Sequence, residues 1–191
     1  MKKNKIAIFA SGSGTNAENI SRFFSNHPTI EVCLFLTNKP DAQVNQRALS
    51  LGIPCCIFNR DDFYHSNNVL DELARYEIDF IVLAGFLWLI PSNLIRNFPK
   101  KIINIHPALL PKYGGKGMYG AKVHQSVIEN HEKESGISIH FVNEEYDAGD
   151  IIFQAECAIE GNDTAESLAQ KVHELEYKHF PGVIESVITG R

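Results

Sequence analysis

An amide and an imidazole stand two residues apart at the end of a short apolar run, in the segment Asn104-Ile105-His106-Pro107. Because side chains alternate along a strand, Asn104 and His106 are expected on the same side of it. An amide N–H can stabilise an oxyanion, and an imidazole can exchange a proton near neutral pH. The pair predicts an oxyanion clamp with a proton shuttle, although a single histidine at a strand end is more often structural.

A carboxylate for this histidine is expected from the acidic stretch at residues 143–150, Asn-Glu-Glu-Tyr-Asp-Ala-Gly-Asp. We expect Asp147 to pair with His106 and to hold the imidazole protonated, since a nearby opposite charge favours the imidazolium. The alternative is a solvated charged hairpin, as most such runs are. A second glycine-rich segment, Gly114–Gly120, is predicted to be either a lid over a substrate or a plain surface loop.

A glycine loop follows the first apolar run and precedes a helical pattern. Glycines let backbone N–H groups approach a ligand, and the helix N-terminus adds a positive dipole, which together favour an anion. The loop lacks the third glycine of the dinucleotide pattern and the lysine of a P-loop, so a monophosphate is the predicted ligand. The alternative is a tight turn with Thr15 as a helix cap. The predicted phosphate-binding residues are Gly12, Ser13, Gly14, Thr15 and Asn16.

Strand and helix candidates alternate along most of the chain, which predicts an α/β fold. The expected architecture is a Rossmann-like, open, mostly parallel sheet with helices on both faces. Such sheets bind ligands at the carboxyl ends of their strands. One helix is predicted over Asp61–Glu77. Near the C-terminus, the candidate strands 135–142 and 150–159 are expected to add an antiparallel edge, and Asp163 is expected to cap a last helix.

The length, charge and cysteine content of the chain exclude several classes of protein. The 191 residues suit one domain, which we expect to span residues 1–191. Lys plus Arg number 18 and Asp plus Glu 23, for a net charge of −5, which argues against a nucleic-acid partner. No apolar run approaches the length of a membrane helix, so no membrane partner is expected. Four cysteines without a C-x-x-C pair favour a cytoplasmic protein with no metal site.

These motifs together resemble a known family. The segment Asn-Ile-His-Pro-Ala-Leu-Leu-Pro-Lys-Tyr at 104–113, the strand at 136–142 and the triplet Asp147-Ala148-Gly149 are similar to the formyltetrahydrofolate-dependent formyltransferases. The nearest branch acts on phosphoribosylglycinamide in purine biosynthesis. The resemblance covers essentially the whole chain. It implies two small-molecule substrates, phosphoribosylglycinamide and 10-formyltetrahydrofolate, and a monomer or homodimer.

The resemblance also implies roles for individual residues. Asn104, His106 and Asp147 match the family's catalytic trio. Glu176 matches an acid of the last helix near the glycinamide substrate. At position 88 the family often has an arginine, so Trp88 is a departure from its pattern. The residues implied to bind the folate are Arg60, Leu87, Trp88, Leu89, Ile90 and Asn104.

Two other functions stay open at this point. One is another formyltetrahydrofolate-using enzyme, either a deformylase or a methionyl-tRNA formyltransferase. From the length we expect neither, since the first would add an N-terminal regulatory domain and the second a basic C-terminal domain. The other is a non-catalytic phosphate- or nucleotide-binding domain, for which the trio would be coincidence.

Overall fold

The computed structural model describes residues 2–190, so Met1 and Arg191, the ends of the predicted 1–191 domain, lie outside the described residues. Its elements alternate between strand and helix along most of the chain. The strands are β1 (Asn4–Phe9), β2 (Ile30–Thr37), β3 (Cys55–Ile57), β4 (Phe80–Leu83), β5 (Ile102–His106), β6 (Glu134–Phe141) and β7 (Ile151–Ala158). The helices are α1 (Thr15–Phe24), α2 (Gln43–Leu51), α3 (Arg60–Tyr64), α4 (Asn68–Arg75), α5 (Ser92–Asn97), α6 (Ala121–Glu129) and α7 (Ala165–Thr189).

All seven strands belong to one sheet, in the order β3-β2-β1-β4-β5-β6-β7. The first five strands along the chain pair in parallel, and β6 and β7 pair antiparallel at one edge. The predicted fold class is therefore confirmed. The strand order reverses between β1 and β4, and sheets of this kind bind ligands in the crevice beside such a reversal.

Apolar side chains bury both faces of the sheet. Along β1, Ile6 and Ile8 join a core that includes Phe180 of α7. The alternate residues Ala7 and Phe9 join a second core with Phe63 of α3. A parallel strand buried on both faces reads as a continuous apolar run, which is why β1 was recognisable from its sequence.

The predicted helix over 61–77 is wrong in its continuity, because α3 and α4 are separate helices. Ser66 interrupts the pattern between them. Its Oγ donates to the Asp62 carbonyl over 3.1 Å and accepts from the Asn68 N–H over 3.1 Å. Hydroxyl side chains of this kind compete with helix hydrogen bonding and favour turns.

The predicted cap of the last helix is one residue out of place. Thr164 is the N-cap of α7, and its side chain accepts from the Ser167 N–H over 3.2 Å in a reciprocal capping box. Asp163 instead accepts from Ser167 Oγ over 2.7 Å and from Lys171 Nζ over 2.6 Å. Asp163 therefore stabilises the first turn of α7 through side-chain contacts, although it lies one residue before the N-cap. Within residues 2–190, no helix is both long and apolar enough to cross a membrane.

Candidate active site

A cavity of about 620 Å³ lies at the carboxyl ends of β1, β4 and β5. The glycine loop, residues 12–16, bounds it on one side, and the end of β5 with Asn104 and His106 bounds it on the other. Residues 115–120, from the glycine-rich segment before α6, line it as well. The structure thus brings the two segments singled out in the sequence into one cavity.

Asn104 is held in place by a histidine that sequence reasoning did not select. The antiparallel register pairs Asn104 of β5 with His140 of β6. His140 Nδ1 lies 2.8 Å from the Phe141 carbonyl and donates to it, so Nε2 is the acceptor whenever the ring is neutral. Asn104 Nδ2 donates to that Nε2 over 3.1 Å. This contact fixes which end of the amide is the donor. We call Asn104, His106, His140 and Asp147 the polar cluster.

Asp147 reaches the cluster from the turn after β6. Its backbone is left-handed, with φ 54°. Its Oδ2 accepts from the Gly115 N–H over 2.9 Å, and its Oδ1 accepts from Asn104 Nδ2 over 3.4 Å. Gly149 lets the turn lie close, because a Cβ there would overlap the Phe141 carbonyl. The predicted hairpin therefore carries a carboxylate that is directed inward.

His106 lies beside Asp147 in the cluster, as expected. Its Nε2 lies 2.8 Å from the Tyr113 carbonyl and donates to it. Its Nδ1 lies 3.5 Å from Asp147 Oδ2. Burial lowers the pKa of His106, with only 3% of the residue exposed, and the opposing effect of Asp147 does not restore the ordinary value. The expectation that Asp147 holds His106 protonated is therefore wrong, because burial outweighs the charge pair.

Asp147 itself is ionised. Burial raises the pKa of this carboxyl, but the adjacent imidazoles of His140 and His106 and the Gly115 N–H together lower it below its ordinary value. His140 Nε2 lies 3.6 Å from Asp147 Oδ1. The cluster thus combines a fixed amide donor, a neutral imidazole and a carboxylate, which are the groups needed to stabilise an oxyanion and to move a proton.

The glycine loop joins β1 to α1 by a conformation that requires glycine. Gly14 is the residue preceding α1 and has φ 72°. A Cβ at this position would come within 2.7 Å of Val44 Cβ. The alternative in which Thr15 caps the helix is not observed, since Thr15 is already the first helical residue. The loop backbone is therefore free of side-chain caps at the helix N-terminus, where anions are favoured.

Two long-range contacts tie this loop to the rest of the site. Ser11 Oγ donates to Asn38 Oδ1 over 2.7 Å and accepts from the Leu87 N–H over 3.1 Å. Asn16 Nδ2 donates to Glu176 Oε2 over 2.8 Å. Glu176 is buried in α7, and burial raises its pKa, with partial opposition from the Asn16 hydrogen bond and from His173. The sequence-predicted loop and the predicted acid thus meet in the same cavity.

The segment 87–90 lies at the opposite side of the polar cluster. Leu87 lines the large cavity, and Trp88, Leu89 and Ile90 line a small adjoining recess of about 50 Å³. Asn104 and Asp147 line both spaces.

Arg60 lies at the outer end of this segment. Its Cζ is 4.9 Å from the centroid of the Trp88 ring and 6.0 Å from that of Tyr64. Tyr64 Oη in turn donates to the Leu89 carbonyl over 3.0 Å. The structure therefore brings Arg60 together with Trp88, although twenty-eight positions separate them in the chain.

Three polar residues that line the cavity were given no site role from the sequence. Lys39 and Lys116 line it, and so does the buried His124 of α6. The pattern of the sequence held little signal for them, because a loop lysine and a helical histidine are common in surfaces and cores. Among residues 2–190, no three His, Cys, Asp or Glu side chains are grouped as a metal site.

Comparison with known proteins relates this chain to a family. A family model described as "Formyl transferase" matches residues 4–184. The phosphoribosylglycinamide formyltransferase of Bacillus subtilis is 35% identical, with 96% of this chain and 94% of the relative covered. The chloroplastic phosphoribosylglycinamide formyltransferase of Arabidopsis thaliana is 42% identical, with 100% and 67% covered. For the plant relative in Vigna unguiculata, the chain spans 63% of its length.

Solved structures agree in fold. A phosphoribosylglycinamide formyltransferase from Bacillus halodurans superposes with a TM-score of 0.86 at 36% identity, covering 97% of this chain and 95% of that one. One from Anaplasma phagocytophilum gives a TM-score of 0.89 at 29% identity, covering 99% and 89%. With a family model that covers nearly all of its length and relatives alike in both sequence and fold, this chain belongs to the formyl transferase family.

Proposed function

We propose that the chain transfers the formyl group of 10-formyltetrahydrofolate to the primary amine of 5′-phosphoribosylglycinamide. The products are formylglycinamide ribonucleotide and tetrahydrofolate, in purine biosynthesis. One observation carries the proposal: a single cavity joins an anion-binding loop to a cluster of Asn104, His106 and Asp147. Such a cavity suits a substrate with a phosphate at one end and a nucleophile at the other. The names of the relatives support the same substrate.

The phosphate binds at the glycine loop. Backbone N–H groups of residues 12–16 and the N-terminus of α1 are neutral donors that favour an anion. Lys39 and Lys116 line the same cavity and supply positive charge. Glu176 and Asn16 lie beside the loop and can bind neutral polar groups of the substrate, since a buried acid would repel the phosphate itself.

The folate occupies the other side of the cluster. Backbone groups of residues 87–90 border the recess where its pterin ring enters, and Asn104 lies at the recess and at the cavity alike. The outer end of the folate then meets Trp88 and Arg60. The formyl group is thereby presented to the amine next to the polar cluster.

The substrate amine attacks the formyl carbon, so no protein nucleophile is needed. The tetrahedral intermediate carries an oxyanion and a protonated amine. Asn104 Nδ2 stabilises the oxyanion by a hydrogen bond. Its 3.4 Å contact with Asp147 is the weaker of its two contacts, so this N–H can turn to the oxyanion while His140 holds the amide. One donor of this kind contributes about 3–4 kcal/mol to transition-state stability.

The proton then moves from the amine to N10 of the folate. Because Nε2 of His106 donates to the Tyr113 carbonyl, Nδ1 of the neutral ring is an acceptor. It takes the ammonium proton, and Asp147 at 3.5 Å stabilises the imidazolium that forms. His106 then gives the proton to N10 as the bond between the formyl carbon and N10 breaks. The lowered pKa of His106 serves this step, because the base form is present at neutral pH.

A test is an absorbance assay for tetrahydrofolate formation with purified protein, 10-formyltetrahydrofolate and phosphoribosylglycinamide. We expect turnover only when the ribonucleotide is present. Equal turnover without it, with release of formate, would favour a deformylase. Turnover that requires methionyl-tRNA would favour the tRNA-directed enzyme. No turnover under any condition would favour a phosphate-binding domain without catalysis.

A further inference from the structure

His124 of α6 is a buried imidazole that the mechanism above does not use. Only 3% of the residue is exposed, and its ring lines the large cavity. Its Nδ1 is fully buried and has no hydrogen-bond partner within residues 2–190. Buried polar atoms without a partner are uncommon and costly, and each calls for a physical reason. The protein thus leaves the hydrogen-bonding capacity of Nδ1 unused, and a rotation of the ring about its Cβ–Cγ bond can direct this nitrogen to a ligand in the cavity.

His124 shares the cavity with one histidine from each of its two ends. The pKa of His124 is lowered to about 4, mainly by burial and to a smaller extent by the nearby imidazoles of His173 and His106. His173 lies one turn before Glu176 on α7, at the side of the glycine loop. His106 belongs to the polar cluster. Because both imidazoles are near enough to influence its pKa, His124 lies within reach of a substrate that extends from the phosphate end to the reacting end.

The position of the unpartnered His124 Nδ1 supports a role in binding a ligand. Three buried side-chain atoms lack partners within residues 2–190: Asn16 Oδ1, His124 Nδ1 and Ser135 Oγ. Ser135 lies at a different recess, beside Leu110 and Glu132. Asn16 and His124 both line the large cavity, so two of the three unpartnered atoms belong to residues that would surround one substrate.

We infer that His124 is a substrate-binding residue that hydrogen-bonds a hydroxyl group of the ribose. This inference rests on the proposed function, which puts a ribonucleotide in the cavity with its phosphate at the glycine loop and its amine at the cluster. The ribose must then lie between them, in the cavity that His124 also lines. A hydroxyl both donates and accepts, and a neutral imidazole offers one donor and one acceptor, so the two groups match in either tautomer.

The experiment compares substrate analogues with a variant that removes the ring nitrogens. Steady-state kinetics would be measured with the ribonucleotide and with its 2′-deoxy and 3′-deoxy analogues, on the unmodified protein and on His124→Phe. We expect one analogue to raise KM of the unmodified protein by about three- to tenfold, as the loss of one hydrogen bond predicts. His124→Phe should raise KM for the ribonucleotide by a similar factor, with kcat changed less than twofold.

The decisive measurement combines the His124→Phe variant with the deoxy analogue that raises KM of the unmodified protein. In His124→Phe, removing the same hydroxyl should have no further effect, whereas a merely structural role would leave the full penalty in place. His124→Asn, which keeps a donor and an acceptor, should recover part of the affinity. His179→Phe is the matched control, because His179 packs against Phe153 outside the cavity. It should behave as the unmodified protein does with all three ligands.

Two results would overturn the inference. One is full sensitivity to both deoxy analogues in His124→Phe, or in His124→Asn if the phenylalanine variant does not fold. The other is a KM for the ribonucleotide that neither variant changes. Calorimetric binding of the same three ligands separates these from failure of the proposed function. A protein that binds the ribonucleotide through His124 but does not turn it over would retain this contact and lose the proposed reaction.

Discussion

The two ends of the cavity are built in different ways. In the proposed function the working groups at the polar cluster are side chains. Contacts with other protein groups position them: Asn104 through His140, His106 through the Tyr113 carbonyl, and Asp147 through the Gly115 N–H. At the glycine loop the working groups are backbone N–H groups at the start of α1, and Gly14 lacks a side-chain cap. One end thus depends on the identity of side chains and the other on the path of the main chain.

The difference follows from what each end has to recognise. A developing oxyanion and a moving proton occupy one position each, so a donor displaced by a fraction of an ångström loses much of its effect. A phosphate dianion presents three oxygens, and several N–H groups share its charge without strict direction. Substitutions at the cluster should therefore change kcat, and substitutions at the loop should change KM for the ribonucleotide.

The largest effect is expected from Asn104→Ala. Removing the amide takes away one oxyanion donor, which should lower kcat by about 10²–10³. KM for the ribonucleotide should change by less than threefold, because the phosphate contacts are unaffected. Asn97→Ala is the control, since the Asn97 side chain donates to the Asn93 carbonyl within α5 and does not line the cavity. If Asn104→Ala retains kcat within about threefold, the amide is not the donor.

Asp147→Asn should have the next largest effect and a distinct pH signature. The amide can still accept from the Gly115 N–H, but it no longer stabilises the imidazolium, so kcat should fall about ten- to a hundredfold. Asp147 raises the pKa of His106, so its removal lowers that pKa further. Because the neutral imidazole is the active form, the acidic limb of kcat/KM should move to lower pH. A limb that stays in place or moves to higher pH would contradict the proton path.

Two substitutions that each add one methyl group to the glycine loop should separate its role in binding from its role in stability. Gly12 lines the cavity, and a Cβ there would meet no protein atom within 4 Å. Gly12→Ala should therefore leave the free energy of unfolding unchanged and raise KM for the ribonucleotide about tenfold, by occupying the space where the backbone approaches the phosphate. The measurements are thermal unfolding and steady-state kinetics.

Gly14→Ala is the matched comparison. Its left-handed backbone costs a residue with a Cβ about 1–2 kcal/mol, and the new atom would lie 2.7 Å from Val44 Cβ. We expect a loss of unfolding free energy of at least this size. Equal stability of the two variants, or an unchanged KM in Gly12→Ala, would mean that the loop does not act through its main chain.

How far the sequence could predict this site depended on how local each feature is. The end of β5 and the glycine loop were recognisable, because a buried parallel strand and a following turn are encoded by neighbouring residues. His140 was not, because its role depends on the register that pairs it with Asn104, thirty-six positions away. The split between α3 and α4 was missed because one hydroxyl at Ser66 outweighed a continuous helical pattern.

The prediction that His106 is protonated was wrong for a related reason. Charge pairing with Asp147 could be argued from residue types alone, and the direction of that contribution was right. The amount of burial depends on packing across the whole cavity, and burial determines the net shift. The sequence therefore predicted which side chains come together, but their protonation states depend on burial, which only the folded structure shows.

The smallest effect is expected on the folate side, at the contact between Arg60 and Trp88. An exposed guanidinium over a half-buried indole contributes about 0.5–1 kcal/mol, so Arg60→Ala and Trp88→Leu should each raise KM for the folate about two- to fivefold. If the two residues act as one unit, the double variant should be no worse than the poorer single variant. Arg75→Ala is the control, because its guanidinium lies over Tyr76, the residue that follows α4, 5.8 Å from that ring. Additive losses in the double variant would mean that Arg60 and Trp88 bind the folate independently.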